Sequence, residues 1–389
     1  MRRYARDCLG LKAYLEDPGD GRLRPQIAAR HLLWALLFGH VLRENSYHGV
    51  EWLVRSSARR AMDVGRAFGD DALGYFTERL DPESTRLALS TACRQAKRNK
   101  AFDNSRWIGL AVDGTSSGRS TDSLCRWCCP ALNEEGAVLC HLHHLVLVQI
   151  VGTGLSLPVD IEPYGENDSE YAAGQRLLER AVKYLGPRFA DYVVADAKFA
   201  TAPFLHTVSA LGLKAVARLK ANLPELSQAA QKRFDSQPPQ VRFTHGRDHI
   251  EVWDAEDFDP WESLQWTTVR VLRYRQYKPD GTVIEAYWLT NFTIRELCSE
   301  SLFGLAKSRW EVENQGFNDA KNRYGMEHIA HHDANSVLVN WLLITLALTI
   351  ERLYRLRYLR RGNHPPHTAI QLVRLLWLTL GASPAADSS

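Results

Sequence analysis

Apolar residues recur at helical spacing through the first hundred residues and then give way to short, nearly continuous apolar runs. The hydrophobic pattern therefore divides the chain before any single residue is weighed. RPQIAARHLLWALLFGHVLRE has 3.6-type spacing, and DPESTRLALSTACRQAKR opens on an Asp-Pro-Glu-Ser cluster that suits a helix start. Residues 1–104 are expected to form an all-helical unit. From residue 105 the texture is that of strands: WIGLAVDG, HLVLVQIVG and LSLPVDIEPYG, followed by the amphipathic helix SEYAAGQRLLERAVKYLG. DYVVADAKF, the helix APFLHTVSALG and the strand LKAVARLK complete this stretch. The next apolar helix lies too far on for a simple loop. In the gap HGRDHIEVWDAEDF, WTTVRVLRYRQY and TVIEAYWLTNF read as strands, the last two joined by the KPDG turn signal. Residues 223–294 are thus expected to be a β-strand insertion. Residues 308–328, SRWEVENQGFNDAKNRYGMEH, read as one amphipathic helix. VLVNWLLITLALTI, 337–350, is too short to span a bilayer, contains Asn340, and reads as a buried helix. Residues 381–389, GASPAADSS, are expected to be a disordered tail.

Composition changes this picture little. At 389 residues and 45% hydrophobic content the chain can bury a large core. A net charge of +3 and a pI near 8.4 neither demand nor exclude nucleic acid. Local clusters are more basic: RQAKRNK contributes Arg94, Lys97, Arg98 and Lys100, and ERLYRLRYLRR sets five arginines against one glutamate. Each cluster is equally compatible with a solvated face. The first twenty residues lack a signal peptide's apolar core, and seven cysteines, an odd number, suit reduced thiols, so a cytoplasmic location without a membrane partner is expected.

Candidate chemistry comes from three acids. Two apolar strands end in aspartates, Asp113 and Asp196, and the helix at 308–328 carries Arg309, Glu313 and Lys321 on overlapping sectors of one face. Three carboxylates gathered from distant sequence suit two hard divalent cations, Mg²⁺ or Mn²⁺, which prefer oxygen ligands. Taken singly each has a plainer explanation: Asp113 as a turn residue before Gly114, Asp196 as a helix cap, Glu313 as the partner of Arg309 one turn earlier. Glu311 competes for the third place but lies about 200° around the helix from Glu313.

With VDGT, VVADA and RWEVE in this order, the chain resembles bacterial insertion-sequence transposases with an Asp-Asp-Glu catalytic domain, of the insertion-sequence-four branch. That branch carries Tyr-x2-Arg-x3-Glu-x6-Lys around its glutamate, matched here at Arg309, Trp310 and Glu313, over roughly residues 105–350. The resemblance implies an α/β fold, a ribonuclease H-like mixed sheet flanked by helices, with an all-α N-terminal unit and a β-rich insertion. The catalytic domain would span 105–222 and 295–362, and the first and fourth strands would lie side by side, joining Asp113 to Asp196. It implies a DNA transposase that cuts and joins element ends, with Asp113, Asp196 and Glu313 as ligands of two Mg²⁺ (or Mn²⁺) ions. Arg309 and Lys321 would hold phosphates. The implied partners are DNA with terminal inverted repeats, target DNA and a second copy of the chain, and the implied location is the bacterial nucleoid when DNA is bound. A structure-selective nuclease and a non-catalytic domesticated DNA-binding protein are the other readings. Two departures stand out: Ala306 replaces the tyrosine, and Lys321 follows Glu313 by eight residues instead of seven. A step of eight points about 80° away on a regular helix, a step of seven about 20°. A single π turn near Gly316 would absorb the extra residue.

Further DNA contacts are expected at Arg218 and Lys220, on the sheet edge of the two aspartates, at Arg94, Lys97 and Arg98 in the helical unit, and at Arg273 and Arg275, which share a strand face. Trp253, Trp261, Trp266 and Trp288 offer either base-stacking surfaces or β-core. CRWCCP followed by CHLHH suggests a zinc site from Cys125, Cys128, Cys140 and His144 that would pin the hairpin between the first two strands; reduced thiols beside core histidines are the alternative. HIAHHD, 328–333, is expected to be a helix end or a DNA-facing cap.

Overall fold

The structure, a computed structural model, describes residues 1–359 and 368–381. Arg360 and Arg361 of the basic run, and the tail expected beyond Gly381, lie outside the described residues.

The apolar runs of the middle region become buried strands: β1 (Gly109–Ser120), β3 (Val138–Val151), β4 (Leu157–Tyr164), β5 (Tyr192–Ala195) and β6 (Lys214–Leu219). A short strand that the pattern did not announce, β2 (Cys128–Leu132), pairs with the outer half of β3. β1 is central: it runs antiparallel to β3 and parallel to β5, β5 runs parallel to β6, and β4 closes on β3. This is the ribonuclease H-like arrangement expected from the element order. Val112 is paired with Ala195, so β1 and β5 reach their acidic ends at one level.

The strands between 223 and 294 extend this same sheet. After helix α9 (Pro224–Asp235, numbered with the helices below), β7 (Val241–His245), β8 (Asp248–Phe258), β9 (Val269–Tyr277) and β10 (Val283–Thr290) follow as antiparallel neighbours. β10 joins β6 antiparallel, with Trp288 opposite Arg218, so ten strands form one sheet. β6 would otherwise present an open edge with unpaired backbone groups, and β10 satisfies it. A buried ion pair fixes this half: the Arg270 guanidinium donates to Asp254 Oδ1 at 2.8 Å and to the carbonyls of Thr293 and Leu297 at 2.9 and 2.7 Å.

A π-helical turn (Tyr4–Cys8) and six α-helices precede the sheet: α1 (Lys12–Glu16), α2 (Ala29–Leu42), α3 (Tyr47–Arg55), α4 (Ala58–Ala61), α5 (Asp70–Thr77) and α6 (Pro82–Arg98). Asp81 caps α6 by accepting from the Glu83 N–H, as its cluster of start residues implied. Arg86 of α6 donates to Asp160 Oδ1 of β4 at 3.1 Å, which pins the helical unit to the sheet. The remaining α-helices among the described residues are α7 (Glu170–Leu185), α8 (Ala202–Ala210), α10 (Ser299–Lys307), α11 (Asn318–Tyr324), α12 (Ala334–Tyr354) and α13 (Ala369–Leu380). The helix that begins with α12 runs on to Leu359, longer than its apolar run, and is long and apolar enough to cross a membrane by length and composition alone. Its apolar window is 94% buried inside the fold, however, and Asn340 donates to the Tyr47 hydroxyl at 2.8 Å, so it serves as the core helix between the sheet and the N-terminal unit.

Removing one partner of a buried pair leaves a charge without compensation. Asp254→Ala is expected to destabilise the fold by about 3–5 kcal/mol, read as a lowered denaturant midpoint; an unchanged midpoint would show that Arg270 does not depend on this carboxylate.

Candidate active site

Asp113 follows Val112 on β1, and Asp196 follows Ala195 on β5 with its backbone still extended (φ −75°, ψ 172°). Adjacent strands lie about 4.8 Å apart. Two apolar runs, each buried because it lies between layers of helices, thus bring two carboxylates side by side at the end of the sheet. Gly114 makes room for a third acid that sequence reasoning missed: a Cβ there would meet the Glu170 carboxyl carbon at 2.5 Å. Glu170 is the first residue of α7, where an acid ordinarily reads as a partner of the helix dipole. Its nearness to Asp113 comes only from the packing of α7 on the sheet.

The helix expected at 308–328 exists in altered form. Ser308 and Arg309 form a turn after α10, the backbone is π-helical from Val312 to Phe317, and α11 ends at Tyr324 with Gly325 left-handed (φ 65°). The Asn318 N–H bonds back to the Glu313 carbonyl, five residues earlier. This is the inserted turn that the eight-residue step called for, and Gly316 lies within it. Gly316 sits against β3, where a Cβ would meet Gln149 Oε1 at 2.6 Å and Leu147 Cδ2 at 3.1 Å. With one residue absorbed, Lys321 returns to the face of Glu313 and reaches β1, donating to Thr115 Oγ1 at 2.9 Å and to the Ser116 carbonyl at 2.6 Å.

Arg309 is the hub. It is buried, and its guanidinium donates to Asp113 Oδ2 at 2.9 Å and to Glu313 Oε1 at 2.8 Å. Lys220 stands 3.3 Å from Asp196 Oδ1, and Lys198 donates to Glu170 at 2.9 Å. Glu311 turns away: it accepts from the Gly152 N–H at 3.1 Å and from the Ser156 hydroxyl, which removes it as a rival ligand. Burial pushes the Asp113 carboxyl up to about 6, and Glu313 and Glu170 add to this while Arg309 opposes it. Asp196 goes the other way: burial works against it, but the Ala197 N–H, Lys220 and Arg309 hold it below the usual carboxylate range.

The donor set fits divalent cations of the hard, oxygen-seeking class. Its oxygens all belong to carboxylates, and a cation, the Arg309 guanidinium, already lies between Asp113 and Glu313. The three acids do not form one compact group, since their oxygens do not all lie within 4.8 Å of one another. A pair of ions about 3.5–4 Å apart, each held by a subset of the acids, suits such a spread better than a single ion does.

The other expected DNA contacts fall into two groups. Arg98 is exposed at the end of α6, and the Lys220 side chain is about half exposed. The rest are engaged within the fold. Arg273 is buried between Asp235 and Glu285 instead of facing solvent, because its strand face packs under α9. Its neighbour Arg275 also pairs with Glu285, Lys97 donates to the carbonyls of Arg188 and Phe189, Arg94 bonds Thr91, and Arg218 bonds the Glu285 carbonyl. Trp253 and Trp288 are core residues and Trp261 and Trp266 are half-buried, whereas Trp310, next to Arg309, is 42% exposed.

The zinc set expected from the cysteine spacing needs correction. Cys128 is paired with His143 across β2 and β3, so both point to one face, and Cys140 and His144 point to the other. The groups that converge are Cys125, Cys128, His143 and His332. His332 lies in the non-helical segment 325–333, so it does not share a helical face with His328.

Among known families, the one described as "Transposase DDE domain" matches residues 109–350. No curated protein matches the sequence. Among solved structures, the cryo-EM structure of a piggyBac transposase synaptic complex with hairpin DNA superposes with a TM-score of 0.48 at 12% identity, covering 97% of this chain and 80% of that one.

In the metal-free protein a proton on Asp113 competes with any divalent cation. Above about 6 the carboxylate is ionised and free to bind; below it the proton must be displaced. Asp196, held low, stays ionised across this window. Mn²⁺ affinity measured by calorimetry is therefore expected to fall by up to about tenfold per pH unit below pH 6, and a flat profile would separate Asp113 from metal binding.

Proposed function

Because the chain belongs to the family of DDE-domain transposases, enzymes that cut and transfer DNA, we propose that Asp113, Asp196 and Glu313 are its catalytic acids and hold two Mg²⁺ ions, or Mn²⁺ in their place. The observation that carries this reading is the register of Val112 with Ala195, together with the Arg309 guanidinium between Asp113 and Glu313. Bound there, the ions would supply a water of lowered pKa as nucleophile and charge stabilisation for the oxygen that leaves the phosphodiester.

The chain's own groups do the rest. Asp113 must be ionised to bind, which its environment resists unless a cation is present. Arg309 meets that need in the fold itself, and with ions held by the acids its planar fork would be free to hold a non-scissile phosphate bidentately. Lys321, brought to β1 by the π turn, offers a point charge next to the same strand. Trp310 gives an exposed ring at the edge of the site, suited to an unpaired base. The electrostatic logic is neutralisation of the pentacoordinate transition state at phosphorus by charges fixed in advance. Hydrolysis leaves a 3′-hydroxyl, and that hydroxyl can attack a second phosphodiester from the position the water held, so one site both cuts and joins.

The substrate is DNA bearing terminal inverted repeats, with target DNA as the second partner, and two copies of the chain act on paired ends. The Arg-x3-Glu spacing at Arg309 and Glu313 favours the insertion-sequence-four branch of the family. Arg98 and Lys100, both exposed on the helical unit, are the best placed of their cluster for the repeat.

Incubation with Mg²⁺ and DNA carrying the flanking terminal repeats is expected to yield cleaved ends and joined products. Cleavage without joining would indicate a structure-selective nuclease, and binding without cleavage a domesticated DNA-binding protein. Asp196→Ala is expected to lower cutting by roughly 10²–10³-fold while DNA retention in a gel-shift assay persists; retained cutting would remove Asp196 from the site.

A further inference from the structure

Away from the acids, at the other end of β1, four soft or borderline ligands converge. Cys125 Sγ lies 3.8 Å from Cys128 Sγ and 3.2 Å from His143 Nε2; Cys128 Sγ lies 3.6 Å from His143 Nε2 and 3.2 Å from His332 Nε2. All four ligand atoms fall within 4.8 Å of one another. A tetrahedral zinc ion with Zn–S about 2.3 Å and Zn–N about 2.0–2.1 Å requires ligand-to-ligand edges of about 3.8 Å between sulfurs and about 3.6 Å between sulfur and nitrogen. These four separations match the corresponding edges of that tetrahedron to within a few tenths of an ångström. They are too long for a disulfide, whose sulfurs lie about 2.0 Å apart.

The surroundings are those of a closed structural site. The Cys128 N–H bonds to the Cys125 carbonyl at 3.1 Å, closing the tight turn that a Cys-x2-Cys knuckle needs. His143 is fully buried, and its Nδ1 lies 3.3 Å from the Gly118 carbonyl. A proton on Nδ1 directed at that carbonyl leaves the Nε2 lone pair for a metal, the usual arrangement for a ligating histidine. The Trp341 ring stands edge-on to His143 at 6.2 Å and walls the site on the α12 side.

We propose that Cys125, Cys128, His143 and His332 bind one structural Zn²⁺ that clamps the segment after the catalytic helix onto the sheet. The parts of the chain it joins are separate in sequence: the β1–β2 connection with the start of β2, β3, and the 325–333 segment leading into α12. A second tie runs in parallel, from the Ser117 hydroxyl to the Met326 carbonyl at 3.0 Å. α11, which carries Lys321, ends at Tyr324 just before this segment, so the clamp limits how far the helix bearing Glu313 and Lys321 can shift along β1. Binding displaces the two thiol protons and leaves a Cys₂His₂ ion with no open position, so the site has a structural and not a catalytic character. It stands independently of the transposase reading, because metal content is measured without DNA.

The test uses the full chain purified without chelator, analysed by inductively coupled plasma mass spectrometry and, after exchange with Co²⁺, by absorption spectroscopy. One zinc per chain is expected, with thiolate-to-cobalt charge-transfer bands and intense tetrahedral d–d bands in the Co²⁺ form. Cys125→Ser and His332→Ala should lose the metal, His332→Cys should retain it, and Cys140→Ser and His144→Ala should keep a full equivalent. Protein that takes up neither zinc nor cobalt, or that loses metal equally in the Cys140→Ser and Cys125→Ser variants, would overturn the proposal. The cobalt spectrum of the unaltered chain decides the matter even if a ligand variant fails to fold.

Discussion

The arrangement turns on one electrostatic problem, which is a carboxyl group held inside the protein. Asp113 is buried in β1 just past the last residue paired with β5, and burial first, then Glu313 and Glu170, disfavour its ionised form. The fold relieves this with a single guanidinium: Arg309 spans Asp113 and Glu313 and joins the strand to the helix. A buried pair of this kind contributes little net stability, because desolvating the charges costs about what their attraction returns. Its value lies in preorganisation. The acids are held at fixed positions around a cation, and a site that carries its own counter-charge can exchange it for metal without rebuilding the backbone.

The π turn serves the same end. One extra residue between Glu313 and Lys321 would rotate the lysine off the site, and the five-residue bond from Asn318 to Glu313 takes that residue up within one turn. The local cost falls on Gly316, which must come within reach of Gln149 and Leu147 with no side chain of its own. Gln149 in turn donates to the Glu311 carbonyl at 3.0 Å, so the turn is tied to the sheet by a polar bond as well as by close packing. The position of a charge at the site thus depends on backbone geometry several residues away.

What could be read from sequence follows from the range of each interaction. The five strands β1, β3, β4, β5 and β6 are buried over most of their length, so their apolar runs stand out, and their order with the intervening helices leaves few right-handed topologies. That order, taken with the family resemblance, made the adjacency of Asp113 and Asp196 legible, and the family's Glu-to-Lys spacing showed one residue too many before Lys321, which a π turn absorbs. Glu170 was not legible, because an acid at a helix start has an ordinary explanation and its neighbour lies on another element. Arg273 and Arg275 alternate correctly along β9, yet which face is covered depends on α9, whose packing no local pattern reveals. The metal cluster failed for a related reason. With β2 unrecognised, the parity of Cys128 against His143 could not be assigned, and a one-residue error in a strand turns every side chain to the opposite face.

β1 links the two ends of the molecule's chemistry. It is twelve residues long, more than twice the length of β5, its parallel neighbour. Its first half lies in the buried sheet and ends at Asp113; beyond Gly114 it pairs only with β3, carries the partners of Lys321 at Thr115 and Ser116, and reaches Gly118 beside His143. A strand with one neighbour is free to twist or lift unless it is fixed at its end, and an exposed edge is also a place for unwanted pairing. The Cys₂His₂ cluster sits at that end, joined through His332 to the segment that follows the Glu313 helix. A rigid tie there would convert a flexible extension into a fixed rail, holding Asp113 and Lys321 at constant spacing while the rest of the site changes its charge partners.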